Sequence, residues 1–190
     1  MKRVLITGLN SYIGNSFEQY IREVPNVAIE TEKISLKKDG WERESWEGYD
    51  VVLHVAGLAH VDVAHADEET KQRYYRINRD LAGKVAKNAK DDKVRQFIYL
   101  SSIIVYGDSA PIGKEKRITE ETKPAPANFY GDSKLQGEQA VLKFRSENYL
   151  DVFRVLILRL PMIYGKNSRG NFPKLKKLAE KTLIFPNVEN

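Results

Sequence analysis

The stretch VLITGLNSYIGNSF, Val4–Phe17, decides how the 190-residue chain is read. Its first residues are apolar or β-branched and run straight into a turn bounded by Gly8 and Gly14. From Ile13 onward apolar residues recur at Phe17, Tyr20, Ile21 and Val24, a helical stripe that Pro25 and Asn26 stop. A strand, a glycine-bearing turn and a helix in that order form the corner at which open α/β sheets hold phosphate. Gly8 permits a tight turn, the loop backbone can approach a pyrophosphate, and Gly14 lets helix and strand pack closely, with N–H groups and helix dipole facing the anion. Such a loop usually has a third glycine between these two, and here position 11 is serine. The small side chain of Ser11 costs some room but brings a hydroxyl that can hydrogen-bond a phosphate oxygen, so it reads as a tolerated variant. The glycines by themselves fit an ordinary strand-turn-helix corner equally well.

Outward from this corner, short apolar runs rich in β-branched residues recur: RVLITG, NVAIETEKISL, DVVLHVAG, QFIYLSS and DVFRVLILRLP. Helical patterns separate them. One runs from about Asp67 to Lys90 with Tyr74, Asn78, Leu81 and Val85 on one face, and another from about Phe129 to Asn148. Strands buried on both faces and alternating with helices imply right-handed crossovers and a parallel sheet, so the fold class is α/β, doubly wound. The polar stretch Gly107–Asn128, with three prolines and no clear period, predicts a long surface loop of the kind that is functional or mobile.

Composition narrows the class. Hydrophobic residues at 42% and charged residues at 30% fit a folded soluble domain, and the length suits one core of ordinary size. No run approaches the roughly eighteen apolar residues of a membrane span, and the N-terminus enters VLITG without a signal-peptide core, so a cytoplasmic location is expected and no membrane partner. The absence of cysteine excludes disulfides, thiolate zinc sites and a cysteine nucleophile. The net charge of +5 is mostly dispersed. Its one dense cluster, Lys166, Arg169, Lys174, Lys176, Lys177 and Lys181, reads as the wet face of a helix whose apolar face is Phe172, Leu175 and Leu178, so nucleic-acid binding is not expected. His54, His60 and His65 with Asp62 lack a metal-ligand pattern, and no metal is expected.

Two further groups carry chemistry. In YGDSK, Tyr130 and Lys134 are four apart and share a helix face, where an ammonium beside a phenol favours the phenolate and makes it a usable proton acceptor. In YLSSIIVYG, Ser101 and Ser102 emerge at the carboxyl end of a predicted strand, where open parallel sheets bind ligands. Taken singly, each also fits a solvated helix pair or a loop cap.

Their order along the chain is more specific. A glycine-bearing first turn, HVAG closing a strand, Asn78 in the next helix, SSIIVYG, Tyr130 with Lys134, and RLPMIYG together resemble the extended short-chain dehydrogenase/reductase superfamily, and within it the NAD-dependent sugar epimerase/dehydratase family, of which UDP-glucose 4-epimerase is a member. The resemblance implies a Rossmann-type NAD(P)-binding fold and a nucleotide-sugar substrate. It implies Ser102, rather than Ser101, as the catalytic hydroxyl, Tyr130 as acid/base, and Lys134 holding the nicotinamide ribose. It places Thr7, Gly8, Ser11, Tyr12, Ile13 and Gly14 along the pyrophosphate, Ala56 and Gly57 beside the cofactor, and Pro161 at the nicotinamide, while Asn78 supports the site. The implied reaction is epimerisation, with a keto-sugar-nucleotide reductase and a dinucleotide-binding module without turnover as alternatives. A homodimer is an expectation by resemblance.

Three departures matter. Dehydratases of the family place an Asp-Glu pair just after the catalytic hydroxyl; here Ile103 and Ile104 stand there and cannot transfer protons, which disfavours dehydration. The segment NVAIETEKISLKKDG is short for the usual strand, helix and further strand, so a helix-strand unit is missing or fused. Glu32 (or Glu30) is then the expected ribose carboxylate beside Leu36, with NAD as cofactor; Lys37 and Lys38 facing a 2′-phosphate would make it NADP. Finally, residues 1–165 read as the dinucleotide-binding domain and 166–190 as the beginning of a substrate lobe, the pattern of a piece of a longer protein.

Overall fold

The computed structural model describes residues 1–59, 63–111, 113–147, 152–168 and 170–182. Its frame is a five-stranded parallel sheet in the order β2-β1-β3-β4-β5, built from β1 (Lys2–Thr7), β2 (Ile29–Ile34), β3 (Val51–His54), β4 (Gln96–Ser102) and β5 (Arg154–Leu160). These are the five apolar runs of the sequence, in order. Helix α1 (Tyr12–Glu23) joins β1 to β2. Between β3 and β4 come α2 (Glu68–Tyr75), a π-helical turn at Arg76–Leu81 and α3 (Ala82–Asp91); α4 (Phe129–Leu142) joins β4 to β5, and α5 (Asn171–Lys181) follows. Val4–Thr7 and all of β3 are buried because helices cover both faces of the sheet.

Two apolar layers lie on either side. One gathers Leu5, Val52, Val85 and Phe97, and the other gathers Ile6, Leu53 and Leu100 beneath Ile13 and Phe17 of α1. Tyr20, expected on the same stripe of α1, is 60% exposed instead, and of that stripe it is Ile13 and Phe17 that pack against the core.

Between β2 and β3 the only helical structure is a 3-10 turn, Trp41–Arg43, so the extra helix-strand unit is absent and β2 is the edge of the sheet. Trp41 and Trp46, buried and stacked with ring centroids 5.7 Å apart, fill the space under the sheet in this segment. After β2 the chain returns across β1 to lay down β3 on its other side. The order in which strands are added therefore reverses between β1 and β3, and a ligand crevice opens beyond their carboxyl ends.

Other boundaries differ from the sequence pattern. The helix expected over Asp67–Lys90 is interrupted by the π turn, with Asn78 buried inside it, an arrangement common near functional sites. Helix α4 stops at Leu142, where the amides of Phe144 and Arg145 bond back to the carbonyls of Val141 and Leu142; Asn148, the expected end, lies outside the described residues. Helix α5 forms, but on its apolar face Leu175 and Leu178 are 45% and 58% exposed, and Phe172 is half-buried against Tyr164. The 107–128 segment holds neither helix nor strand among the described residues. Lys116 pins it, donating from Nζ to the carbonyls of Tyr106 (2.7 Å) and Asp108 (2.8 Å). Among the described residues no helix is long and apolar enough to cross a membrane.

Candidate active site

A cleft of about 1460 Å³ occupies the crevice, large enough for a ligand of several rings. Its floor is the first turn. Gly8 has φ +99°, a conformation other residues adopt only with strain, and its amide bonds the Ile34 carbonyl at 2.9 Å, locking the loop to the end of β2. Ser11 is the N-cap of α1: its Oγ accepts the Gly14 amide at 3.3 Å, which leaves its O–H and the first-turn amides of Tyr12 and Ile13 to face the cleft. Gly14 itself packs against the sheet, where a side chain would meet Ile6 Cγ2 at 3.0 Å and Val55 Cγ2 at 3.2 Å. The loop thus keeps the features an anionic pyrophosphate needs, with serine at the middle position.

The carboxyl end of β4 and the start of α4 form the opposite wall. Asn128 caps α4 by accepting the Gly131 amide at 3.0 Å, which sets Tyr130 in the first turn. The Tyr130 ring stands edge-on to buried Tyr74, with centroids 5.7 Å apart. Burial holds its phenol above the ordinary tyrosine value, and the neighbouring Ser102 side chain pulls it partly back. Ser101 is turned the other way: it is buried and donates to Glu138 Oε1 at 2.5 Å.

Lys134, one turn after Tyr130, is buried and points into the sheet. Its Nζ donates to the Leu100 carbonyl at 2.9 Å and lies 5.1 Å from the centre of the Tyr99 ring. Burial brings its ammonium down to about 8, with the Glu138 charge pulling the other way. The expected effect of this ammonium on the phenol is not what sets Tyr130 here; burial and Ser102 do. Asn78 braces the same corner, accepting the Leu58 amide at 2.8 Å and donating to the Leu58 carbonyl at 3.1 Å and to Ser133 Oγ at 3.0 Å.

Of the residues singled out from the sequence, Gly8, Ser11, Tyr12, Ile13, Leu36, Lys37, Ala56, Gly57, Ser102, Tyr130, Lys134 and Pro161 line this one cleft. Three do not. Thr7 is buried, with its Oγ1 at 2.8 Å from His54 Nδ1. Gly14 serves packing. Glu32 points to the outer face of β2, where its carboxylate accepts the Tyr49 hydroxyl and lies 4.0 Å from Arg3; Glu30 pairs with Arg3 as well, at 3.7 Å. The expected ribose carboxylate is therefore turned away from the cleft. Alternation along the strand could have given this result, since Glu30 and Glu32 share a face, but the strand's end was needed to know which face the cleft uses.

The cleft also takes in Ser35, Arg73, Lys114 and Arg117. The long polar loop signals the last two, whereas nothing in the sequence pattern marks Arg73. Ile103 and Ile104 line the cleft at the positions a dehydratase gives to acids. Among the described residues no group of His, Asp and Glu could hold a metal; His60 and Asp62 lie outside them.

His54 sits behind the first turn, stacked between Phe97 (5.7 Å) and Tyr99 (5.9 Å). Burial first, and the Lys134 charge second, hold its imidazole down to about 3, so the folded chain keeps it neutral. The unfolded chain takes up a proton near the ordinary histidine value while the folded one does not. Stability from this group is therefore fully present above about pH 6.5 and falls by about 1.4 kcal/mol per pH unit on acidification toward 3. Urea unfolding between pH 6.5 and 4 is expected to show a shallower acid slope for His54→Gln than for the parent chain; equal slopes would contradict this.

Comparison with known proteins adds to the geometry. The family model described as RmlD substrate binding domain matches residues 1–183. UDP-glucose 4-epimerase of Vibrio cholerae is 31% identical over 136 residues, covering 72% of this chain and 40% of that protein. Methionine adenosyltransferase 2 subunit beta of Pongo abelii is 34% identical over 142 residues, 73% of this chain and 35% of that protein. The chain spans less than half the length of either relative. Among solved structures, dTDP-4-dehydrorhamnose reductase from Bacillus anthracis in complex with NADP superposes with a TM-score of 0.68 at 24% identity, covering 96% of this chain and 61% of that one.

Proposed function

The chain belongs to the RmlD substrate binding domain family of extended short-chain dehydrogenase/reductases, and on that premise we propose that it carries the catalytic residues of an NAD(P)-dependent enzyme that reduces a keto-sugar nucleotide. The observation that carries the reading is that Tyr130 and Ser102 line the same cleft at the carboxyl end of β4, where burial keeps the phenol protonated. Reduction of a ketone needs a proton donor at the oxygen, and a protonated phenol is one.

The first turn suits a dinucleotide. Gly8, Ser11, Tyr12 and Ile13 would take the pyrophosphate; Ala56, Gly57 and Lys134 would lie along the nicotinamide half, with Pro161 opposite. Bound there, the cofactor supplies or accepts hydride. Ser102 would hold the carbonyl oxygen of the sugar by donating a hydrogen bond, and Tyr130 would deliver its proton to that oxygen as the carbon is reduced. Lys134 would use donors left over from its bond to Leu100 to orient the ribose beside Tyr130. The apolar Ile103 and Ile104 supply no acid or base for loss of water.

A second reading is epimerisation, favoured by the identity to the Vibrio cholerae epimerase. It asks Tyr130 to act first as a base and then, as the hydride returns, as an acid. The two separate in one experiment, in which the protein is mixed with reduced dinucleotide and a 4-keto sugar nucleotide, and separately with oxidised dinucleotide and UDP-glucose. The expected result is stoichiometric loss of reduced nicotinamide absorbance in the first mixture. An epimer formed in the second, with no net change in cofactor, would replace this reading by the other. Dinucleotide binding with neither reaction would overturn both and favour a dinucleotide-binding module without turnover.

A further inference from the structure

We infer that the adenosine end of the cleft is built for a 2′-phosphate, so that the chain selects NADP(H) over NAD(H) through Ser35 and Lys37. This rests on the dinucleotide reading above and concerns the residues just past the end of β2, the strand next to the glycine-bearing turn.

A free ribose is recognised by a carboxylate that accepts its two hydroxyls, whereas a 2′-phosphate needs donors and positive charge and is repelled by a carboxylate. The acids of β2 are committed elsewhere. Glu30 and Glu32 face Arg3, and Glu32 also holds the Tyr49 hydroxyl, on the strand face away from the cleft. The next acid in the chain, Asp39, does not line the cleft either. What the cleft presents beyond Ile34 is Ser35, Leu36 and Lys37.

Their positions are fixed by the backbone. The Gly8 amide bonds the Ile34 carbonyl at 2.9 Å, so residue 35 starts directly beside the first turn. Ser35 Oγ accepts the Lys37 amide at 3.3 Å, which folds Lys37 back over the rim and leaves the serine O–H free to donate. The cations nearby differ in what they already hold. Lys33 is engaged by Glu18 at 2.6 Å and by Asn15, and Lys38 pairs with Glu44 at 3.9 Å. Lys37 has no side-chain partner of this kind among the described residues, and it is the one of the three that lines the cleft. A hydroxyl donor and an ammonium without a side-chain partner, with the acids of β2 committed elsewhere, form the recognition set of a phosphate monoester and a poor one for a vicinal diol.

The test is calorimetric titration of the 190-residue chain, shown to be folded by circular dichroism, with NADP, NAD, adenosine 2′,5′-bisphosphate and ADP. NADP is expected to bind about tenfold more tightly than NAD, the scale of one hydrogen bond to a charged group, and the bisphosphate is expected to beat ADP in the same way. Lys37→Gln should bring NADP and NAD to within about twofold of each other, and Lys38→Gln should leave the ratio unchanged. The preference should shrink as salt is raised, because Lys37 is exposed. Binding of NAD as tightly as NADP, or a preference that survives Lys37→Gln, would overturn the inference while leaving the dinucleotide site in place. Failure of the folded chain to bind any of the four would instead remove the dinucleotide reading, and the inference with it.

Discussion

Replacing Tyr130 by phenylalanine is expected to lower keto-sugar reduction by about 10²–10⁴-fold while leaving dinucleotide affinity within about twofold. The ring would keep its edge-on contact with Tyr74, since only the hydroxyl is removed, and the start of α4 would stay capped by Asn128. What disappears is the proton donor on the cleft side. Ser102→Ala should be milder, because it removes a hydrogen bond to the reacting oxygen but leaves the acid in place. The pH dependence follows from the direction of the tyrosine shift. Held above its ordinary value of 10, Tyr130 stays protonated throughout the physiological range, so its titration should not slow reduction below about pH 10. The reverse oxidation needs the phenolate and should speed up with rising pH over the same range. Single-turnover rates in both directions for the parent and the two variants check this. A Tyr130→Phe variant with the parent's rate of reduction would remove Tyr130 from the chemistry.

Much of this site could be read in the sequence because its parts are local. A glycine-bearing turn after an apolar strand, a serine at a strand end and a Tyr/Lys pair one helical turn apart each declare their own geometry, and the alternation of strands and helices brings them to one edge of the sheet. Residues whose roles depend on distant neighbours were less legible. Glu32 looked like a ribose ligand until the Arg3 and Tyr49 side chains, contributed by other segments, claimed its face of β2. Thr7 looked like a pyrophosphate residue, but its hydroxyl belongs to His54, forty-seven positions away. The bend that buries Asn78 in a π turn leaves the helical stripe intact and so has no signature in spacing. Lys134 illustrates the electrostatic limit: its spacing from Tyr130 is given by the sequence, but the carbonyl that receives it, the burial that lowers it to about 8 and the carboxylate that opposes this come from β4 and from the next turn of α4.

That carboxylate carries the second large effect. Glu138→Ala should destabilise the fold by about 2–3 kcal/mol, the scale of losing charge-assisted hydrogen bonds to a guanidinium that is only partly buried. Glu138 is 2% exposed and accepts three hydrogen bonds: from Ser101 Oγ, and from Arg159 Nε at 3.0 Å and Nη2 at 2.6 Å. It thereby ties α4 to the carboxyl ends of β4 and β5, and Arg159 passes the connection on to the Tyr106 hydroxyl at the start of the long loop. Alanine would leave the guanidinium and a buried hydroxyl without an acceptor. It would also remove the charge that supports the Lys134 ammonium. The sign of that part can be worked out. Lysine held below its ordinary value costs the folded state stability that is fully lost below about pH 8 and is recovered as the pH rises from 8 toward 10.5. Without Glu138 the lysine falls further, so the variant's deficit should be larger at pH 7 than at pH 9.5, where the parent's Lys134 is already mostly neutral. Glu138→Gln keeps an acceptor for one neighbour and should lose less. Denaturant unfolding of the three proteins at both pH values separates the contributions. A deficit that does not change with pH would assign the whole effect to Arg159 and Ser101, and a deficit under about 1 kcal/mol would mean that the pair does not hold α4 to the sheet.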